Sequence, residues 1–266
     1  MTPFSGHILG AHQKIDRVAR RNVARLLPDG LFPSIRQIMH FEGDNGPDAI
    51  KRKSPAKDEP WHYFQPFDME DTQLLKLIAA HYRRLVTALS EADQVRAAFE
   101  AAWLAHAIVD GLTPAHHYPY EEKLVELRGG EGIESRTTIK DKVLFPGDNL
   151  RHQAGNNWKF WGPKGLFTTH VAFEWGVSTL IAPLRLTNSL PTTMDIDKFA
   201  KLGIEDWFRA VAQEIARMGL YDDFYKTGWT NTLSRRVRRE LAPALARSVS
   251  LAWYGAAQQA NEQRPS

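Results

Sequence analysis

The chain contains no cysteine. That excludes disulfides, thiolate zinc fingers and a cysteine nucleophile together, and leaves imidazoles and carboxylates as its only strong metal ligands. No apolar run approaches the roughly 20 residues that span a bilayer. The first ten residues show no basic stretch followed by a long apolar run, so no signal peptide is expected. The expected location is cytoplasmic, or secreted if a leader precedes this chain. No segment alternates with the two-residue period of a half-buried strand, and no repeat or hairpin signal is visible. A charge of one sign is scarce too. The 34 Lys and Arg against 31 Asp and Glu leave a net charge of +3, too little to argue for nucleic acid as a partner.

What is present is helical periodicity. At 266 residues and 43% hydrophobic content the chain can bury a sizeable core, and one all-α domain over 1–266 accommodates it. Amphipathic spacing predicts helices over 12–27, 33–40, 71–89, 92–110, 121–127, 170–180, 196–219 and 231–260. The stretches 41–68 and 141–165, rich in Pro, Gly, Asn and aromatics, read as long ordered loops. Trp207 and Trp253 fall at apolar helical positions and read as core. Trp158 and Trp161 either wall a cleft or pack a loop. The arginines between Arg17 and Arg25 read as a solvated helix face.

Chemistry concentrates in the segment Trp103–Tyr118. His106 and Asp110, four apart, share one face of a helix and can hold a metal between them. Gly111 is expected to loosen that helix and Pro114 to end it, turning His116 and His117 towards the same end. His170 and Glu174 repeat the four-residue spacing on a later helix. His12 opens the first helix, and Asp48 and His62 lie in the first long loop. Five of the ten histidines and three carboxylates thus form one pattern. His117 reads as supporting or surface. His40, His81 and His152 have no partner at ligand spacing and read as exposed or hydrogen-bonded.

The spacing His106-x3-Asp110-x5-His116 followed by His170-x3-Glu174 resembles that of the zinc-dependent phospholipase C family and its relatives, the zinc-dependent single-strand nucleases. Asp48 and His62, fourteen apart, strengthen the resemblance. So do the segments His62-Tyr-Phe-Gln-Pro-Phe-Asp68 and His12-Gln-Lys-Ile-Asp-Arg-Val-Ala19. The matched motifs span 12–174.

The resemblance implies a compact multi-helix fold of that family's type and a ligand set. Asp48, His62, His106 and Asp110 would hold one zinc. His116, His170 and Glu174 would hold a second, and Asp110 would bridge to a third on His12. The family completes that third ion with an N-terminal tryptophan, and this sequence has none before Trp61. Two or three Zn2+ ions therefore both remain open, with His7 as a substitute imidazole. The expected reaction is hydrolysis of a small phosphodiester or phospholipid headgroup by a metal-bound hydroxide, with Asp48 orienting or deprotonating the nucleophile. The alternatives are a nuclease or nucleotidase, other chemistry on the same frame, or a structural metal. Oligomeric state is not legible.

Overall fold

The computed structural model describes residues 10–263. Every regular element among them is helical, so the chain is all-α. In chain order the helices are α1 (Ala11–Val23), α2 (Ile35–His40), α3 (Pro47–Lys53), α4 (Gln73–Ser90), α5 (Gln94–Leu112), α6 (Tyr120–Leu127) and α7 (Ile139–Val143). They continue with α8 (Leu150–Trp161), α9 (Leu166–Ile181), α10 (Thr193–Ala216), α11 (Leu220–Thr227), α12 (Asn231–Arg236) and α13 (Ala242–Gln263). No helix among the described residues is long and apolar enough to cross a membrane.

α5 is the axis of the fold. It packs against α1, α2, α4, α10 and α13. Its sequence explains how five neighbours fit: Ala97, Ala98, Ala101, Ala102 and Ala105 are all fully buried and let the surrounding helices approach closely. α13 supplies the largest wedge. Trp253 is completely buried and donates its Nε1–H to the Ala101 carbonyl at 3.0 Å. Trp207 is 2% exposed. Losing an indole of this kind costs about 3–5 kcal/mol. A helix enclosed on all sides has no solvated face, so residues 104–112 are buried without exception, the polar His106 and Asp110 included.

Several boundaries differ from the periodicity. α1 ends at Val23, so Leu26 and Leu27 lie beyond it. The stretch 41–68 is not all loop: Pro47 opens α3, with Asp48 in its first turn favoured by the helix dipole. The stretch 141–165 is mostly helical as well. α8 begins where Asn149 accepts from the His152 N–H, and this cap makes a helix from a segment poor in strong helix formers. α11 went unforeseen between two expected helices, and α10 breaks at Gly203, whose φ is +72°. Gly111 does not loosen α5. A Cβ there would lie 2.3 Å from Leu74 Cδ2 and 2.7 Å from Phe208 Cζ, so glycine is needed for close packing. His7 lies outside the described residues.

Candidate metal centre

Burying His106 and Asp110 at 3% exposure each requires partners, and three other elements provide them. From the turn before α3, Glu42 accepts from His106 Nδ1–H at 3.1 Å, and this leaves Nε2 facing Asp110 Oδ2 (3.3 Å) and Asp48 Oδ1 (3.6 Å). From α1, His12 Nε2 lies 3.1 Å from Asp110 Oδ1, its ring stacked on His106 at 4.0 Å and 8°. From α3, Lys51 Nζ lies 2.9 Å from Asp110 Oδ2 and 3.5 Å from Asp48 Oδ1. Asp110 thus uses both oxygens, one towards α1 and one towards α3.

The second group forms beside the first. α9 presents His170 and Glu174 one turn apart, and the 3-10 turn Pro114–His117 brings in His116. His116 Nε2 lies 2.7 Å and His170 Nε2 3.3 Å from the same oxygen, Glu174 Oε1. His116 Nδ1 donates to the His62 carbonyl at 2.9 Å, and the His116 and His170 rings stack at 4.9 Å. Tyr63 and Tyr120, stacked at 5.1 Å and 11°, stand against these rings.

The electrostatics follow from burial set against neighbours. Burial alone would raise the Asp110 carboxyl, but Lys51 and His106 hold it well below the usual range. Glu174 is likewise held well below by His170 and His116. Burial would lower His106 and His116, but Asp110 with Glu42 raises the first, and Asp110 with Glu174 raises the second. Lys51 stays charged because Asp110 and Asp48 outweigh its burial. At His62 burial, with Lys51 and His116 nearby, outweighs Asp110 and pushes its pKa well below the usual range.

The donor sets fit a divalent cation. His12, His106 and Asp110 each offer an atom within 4.8 Å of the others, and so do His116, His170 and Glu174. His106 Nε2 is buried with no hydrogen-bond partner, a cost that a coordinated ion removes. The Glu42 carboxylate on the far nitrogen of His106 is the arrangement that fixes a metal-ligating imidazole. Nitrogen and oxygen donors without thiolate suit zinc and its neighbours. The second group and, from the first, His12 and Asp110 line one cavity of about 530 Å³, as do Asp48, Lys51 and His62, with His106 set behind Asp110.

No family model, curated protein or solved structure matches the chain.

Six of the eight expected ligands fall into the two groups: His12, His106 and Asp110, then His116, His170 and Glu174. Asp48 and His62 stand beside them rather than within them. Asp48 is half exposed and shares its oxygen between His106 and Lys51. His62 turns its Nδ1 to the Pro60 carbonyl at 3.1 Å and serves His116 through its backbone. Sequence reasoning missed Glu42 and Lys51. Lys51 had a signal, since it follows Asp48 by three residues once 47–53 is read as a helix; Glu42 had none. His117 supports the turn, with Nε2 2.9 Å from the Gly111 carbonyl. His81 is buried and paired with Glu100 at 2.5 Å rather than with a member of either group.

Proposed function

We propose that this chain is a metal-dependent phosphoesterase acting on a small phosphodiester or a phospholipid headgroup. The observation that carries the reading is the pair of three-residue His/carboxylate groups, five of whose six members line one cavity. A closed structural site would have no reason to adjoin a cavity of that size. The resemblance of the His106–Glu174 spacing to the zinc-dependent phospholipase C family points the same way, and zinc is the proposed ion. Divalent cations held there would acidify a coordinated water and neutralise charge growing on the phosphoryl oxygens.

The remaining work falls to the chain's own side chains. Glu42 and the His62 carbonyl fix the orientation of His106 and His116, so both Nε2 atoms are aimed before any ligand arrives. Asp48 lines the cavity with a half-exposed carboxylate beside Lys51, well placed to orient an attacking water and take its proton. The Lys51 ammonium adds a fixed positive charge at the cavity wall, where a phosphate oxygen would gain from it. Tyr63 and Tyr120 present aromatic faces against the second group and limit water access there.

The test is metal analysis of purified protein, followed by assay on a chromogenic phosphodiester, a phosphatidylcholine analogue and a short single-stranded oligonucleotide. Stoichiometric zinc, with phosphodiester turnover abolished in Asp110→Asn, is the expected result. Turnover of the oligonucleotide alone would move the reading to a nuclease. Absence of bound metal after zinc reconstitution, with Asp110→Asn as active as the parent, would end it.

A further inference from the structure

The exposed apolar residues of this molecule are unevenly placed. Leu150 (85% exposed), Trp158 (68%) and Trp161 on α8, with Val171 and Trp175 (67%) on α9, lie on two consecutive helices that pack on each other. α8 itself is anchored by only two buried residues, Asn156 and Phe160. At about 100° per residue, Leu150, Trp158 and Trp161 fall within about 80° of arc on one side of the helix. The patch is continuous: the Trp161 ring lies 4.8 Å from Phe167, and Phe167, Val171 and Trp175 follow one another every fourth residue along α9. A soluble surface has no use for two indoles and a leucine this exposed on one short helix.

Charge identifies what covers them. With Lys142 paired to Glu59, residues 139–165 leave Lys140, Arg151, Lys159 and Lys164 against Asp141 and Asp148, a net +2. A second copy meeting this face symmetrically would bring like charges together. An anionic lipid surface reverses that sign. Indoles settle at the headgroup level, Leu150 reaches the acyl boundary, and Arg151, at the edge of the apolar arc, and Lys164 meet lipid phosphates.

We propose that α8 and the outer face of α9 form a docking surface for an anionic phospholipid bilayer. The cavity opens beside it: Phe160, Phe167, Val171 and Trp175 make an apolar wall, and His170 and Glu174 lie on the same helix as the last two. Resting on the phosphoesterase reading, this arrangement would pass a headgroup to the metal ligands while its apolar remainder stays against α8 and α9.

The test is sedimentation of the protein with large unilamellar vesicles of phosphatidylcholine alone and of phosphatidylcholine mixed with phosphatidylglycerol. The parent should pellet with the mixed vesicles and release in high salt. Leu150→Ala with Trp158→Ala should weaken that binding by about tenfold or more, and Arg151→Glu with Lys164→Glu should erase the preference for anionic lipid. Neither pair contains a buried residue, so both variants should keep the parent's circular dichroism melt and its rate on a water-soluble phosphodiester. The proposal is overturned if the parent stays in the supernatant, or if the apolar variant binds as tightly as the parent. It is also overturned if ultracentrifugation shows a parent dimer that this variant dissociates. Binding is read without turnover, so the two readings separate. Vesicle binding with no soluble turnover removes the phosphoesterase alone, and soluble turnover with no vesicle binding removes the docking surface alone.

Discussion

Lys51 Nζ sits 2.9 Å from Asp110 Oδ2, the same oxygen that lies 3.3 Å from His106 Nε2. An ammonium and a metal ion would compete for that oxygen. In the metal-free protein the lysine supplies the counter-charge that a buried carboxylate needs. Lys51→Met should therefore divide its effect by state. The metal-free protein should lose about 3 kcal/mol, as when one partner of a largely buried pair is removed. The first metal group should gain about tenfold in affinity, because no ammonium remains to be displaced. Denaturant melts of the stripped protein and chelator-competition titrations read the two effects separately. Unchanged metal affinity would show that the lysine and the ion do not share the oxygen.

Protonation gives a second prediction. His106 and His116 have folded-state values raised above their unfolded ones, so their contribution to stability is complete below about pH 6.5 and is lost as pH rises through the folded values. Asp110 and Glu174 are depressed, so theirs is present above about pH 4 and is lost only as pH falls through the folded values. His62 and His117 are depressed instead and cost stability as pH falls below about 6.5, so the metal-free protein should melt at its highest temperature near pH 6.5, and its Tm should fall as pH is raised from there to about 9. With saturating zinc the trend above neutrality should weaken or reverse, since ligating imidazoles must be unprotonated. Calorimetry in buffers of different ionisation enthalpy should record proton release on binding near pH 7.

Glu42 carries the third. Its carboxylate takes the His106 Nδ1 proton, and His106 in return holds the Glu42 carboxyl below the usual range in spite of burial. Glu42→Gln keeps an acceptor and a similar volume while removing the charge. Loss of such a supporting carboxylate should weaken metal binding at the first group by about 10–100-fold. The His116 group, supported by the His62 carbonyl, should keep its affinity. An equal loss at both groups would mean that the substitution had disturbed the fold instead.

The parts of this molecule legible in the sequence are those whose cause is local. The four-residue pairs His106/Asp110 and His170/Glu174 share a helix face by geometry alone, and both helices formed. The all-α class follows from periodicity that recurs along the whole chain. α3 and α8 were not legible, because Pro, Gly and Asn interrupt 41–68 and 141–165 and the decisive forces there are a cap and tertiary contacts. Gly111 looked like a helix weakener because a sequence carries no record of Leu74 and Phe208 across the core. Lys51 and Glu42 reach the site from elements 59 and 64 residues before their partners Asp110 and His106. No spacing rule connects side chains over such distances.

The two candidate ligand groups share a cavity but not a residue, and under the proposed function that separation can be counted. Glu174 Oε1 is the common oxygen of the second group, and Asp110 is the only carboxylate of the first. Glu174→Gln leaves His116 and His170 with a neutral amide, a poor metal ligand beside two imidazoles. It should lower the bound zinc by one equivalent and leave the first group filled. Asp110→Asn should empty the first group, and because Asp110 also raises His116, it should shift the pH at which the second group fills without abolishing it. Plasma emission of gel-filtered protein gives the count, and a pH series of the same measurement gives the shift. Complete loss of metal from either single variant would mean that the ions bind as one cooperative cluster. In that case the coupling would run through the charge of Asp110 acting on His116, rather than through any shared ligand.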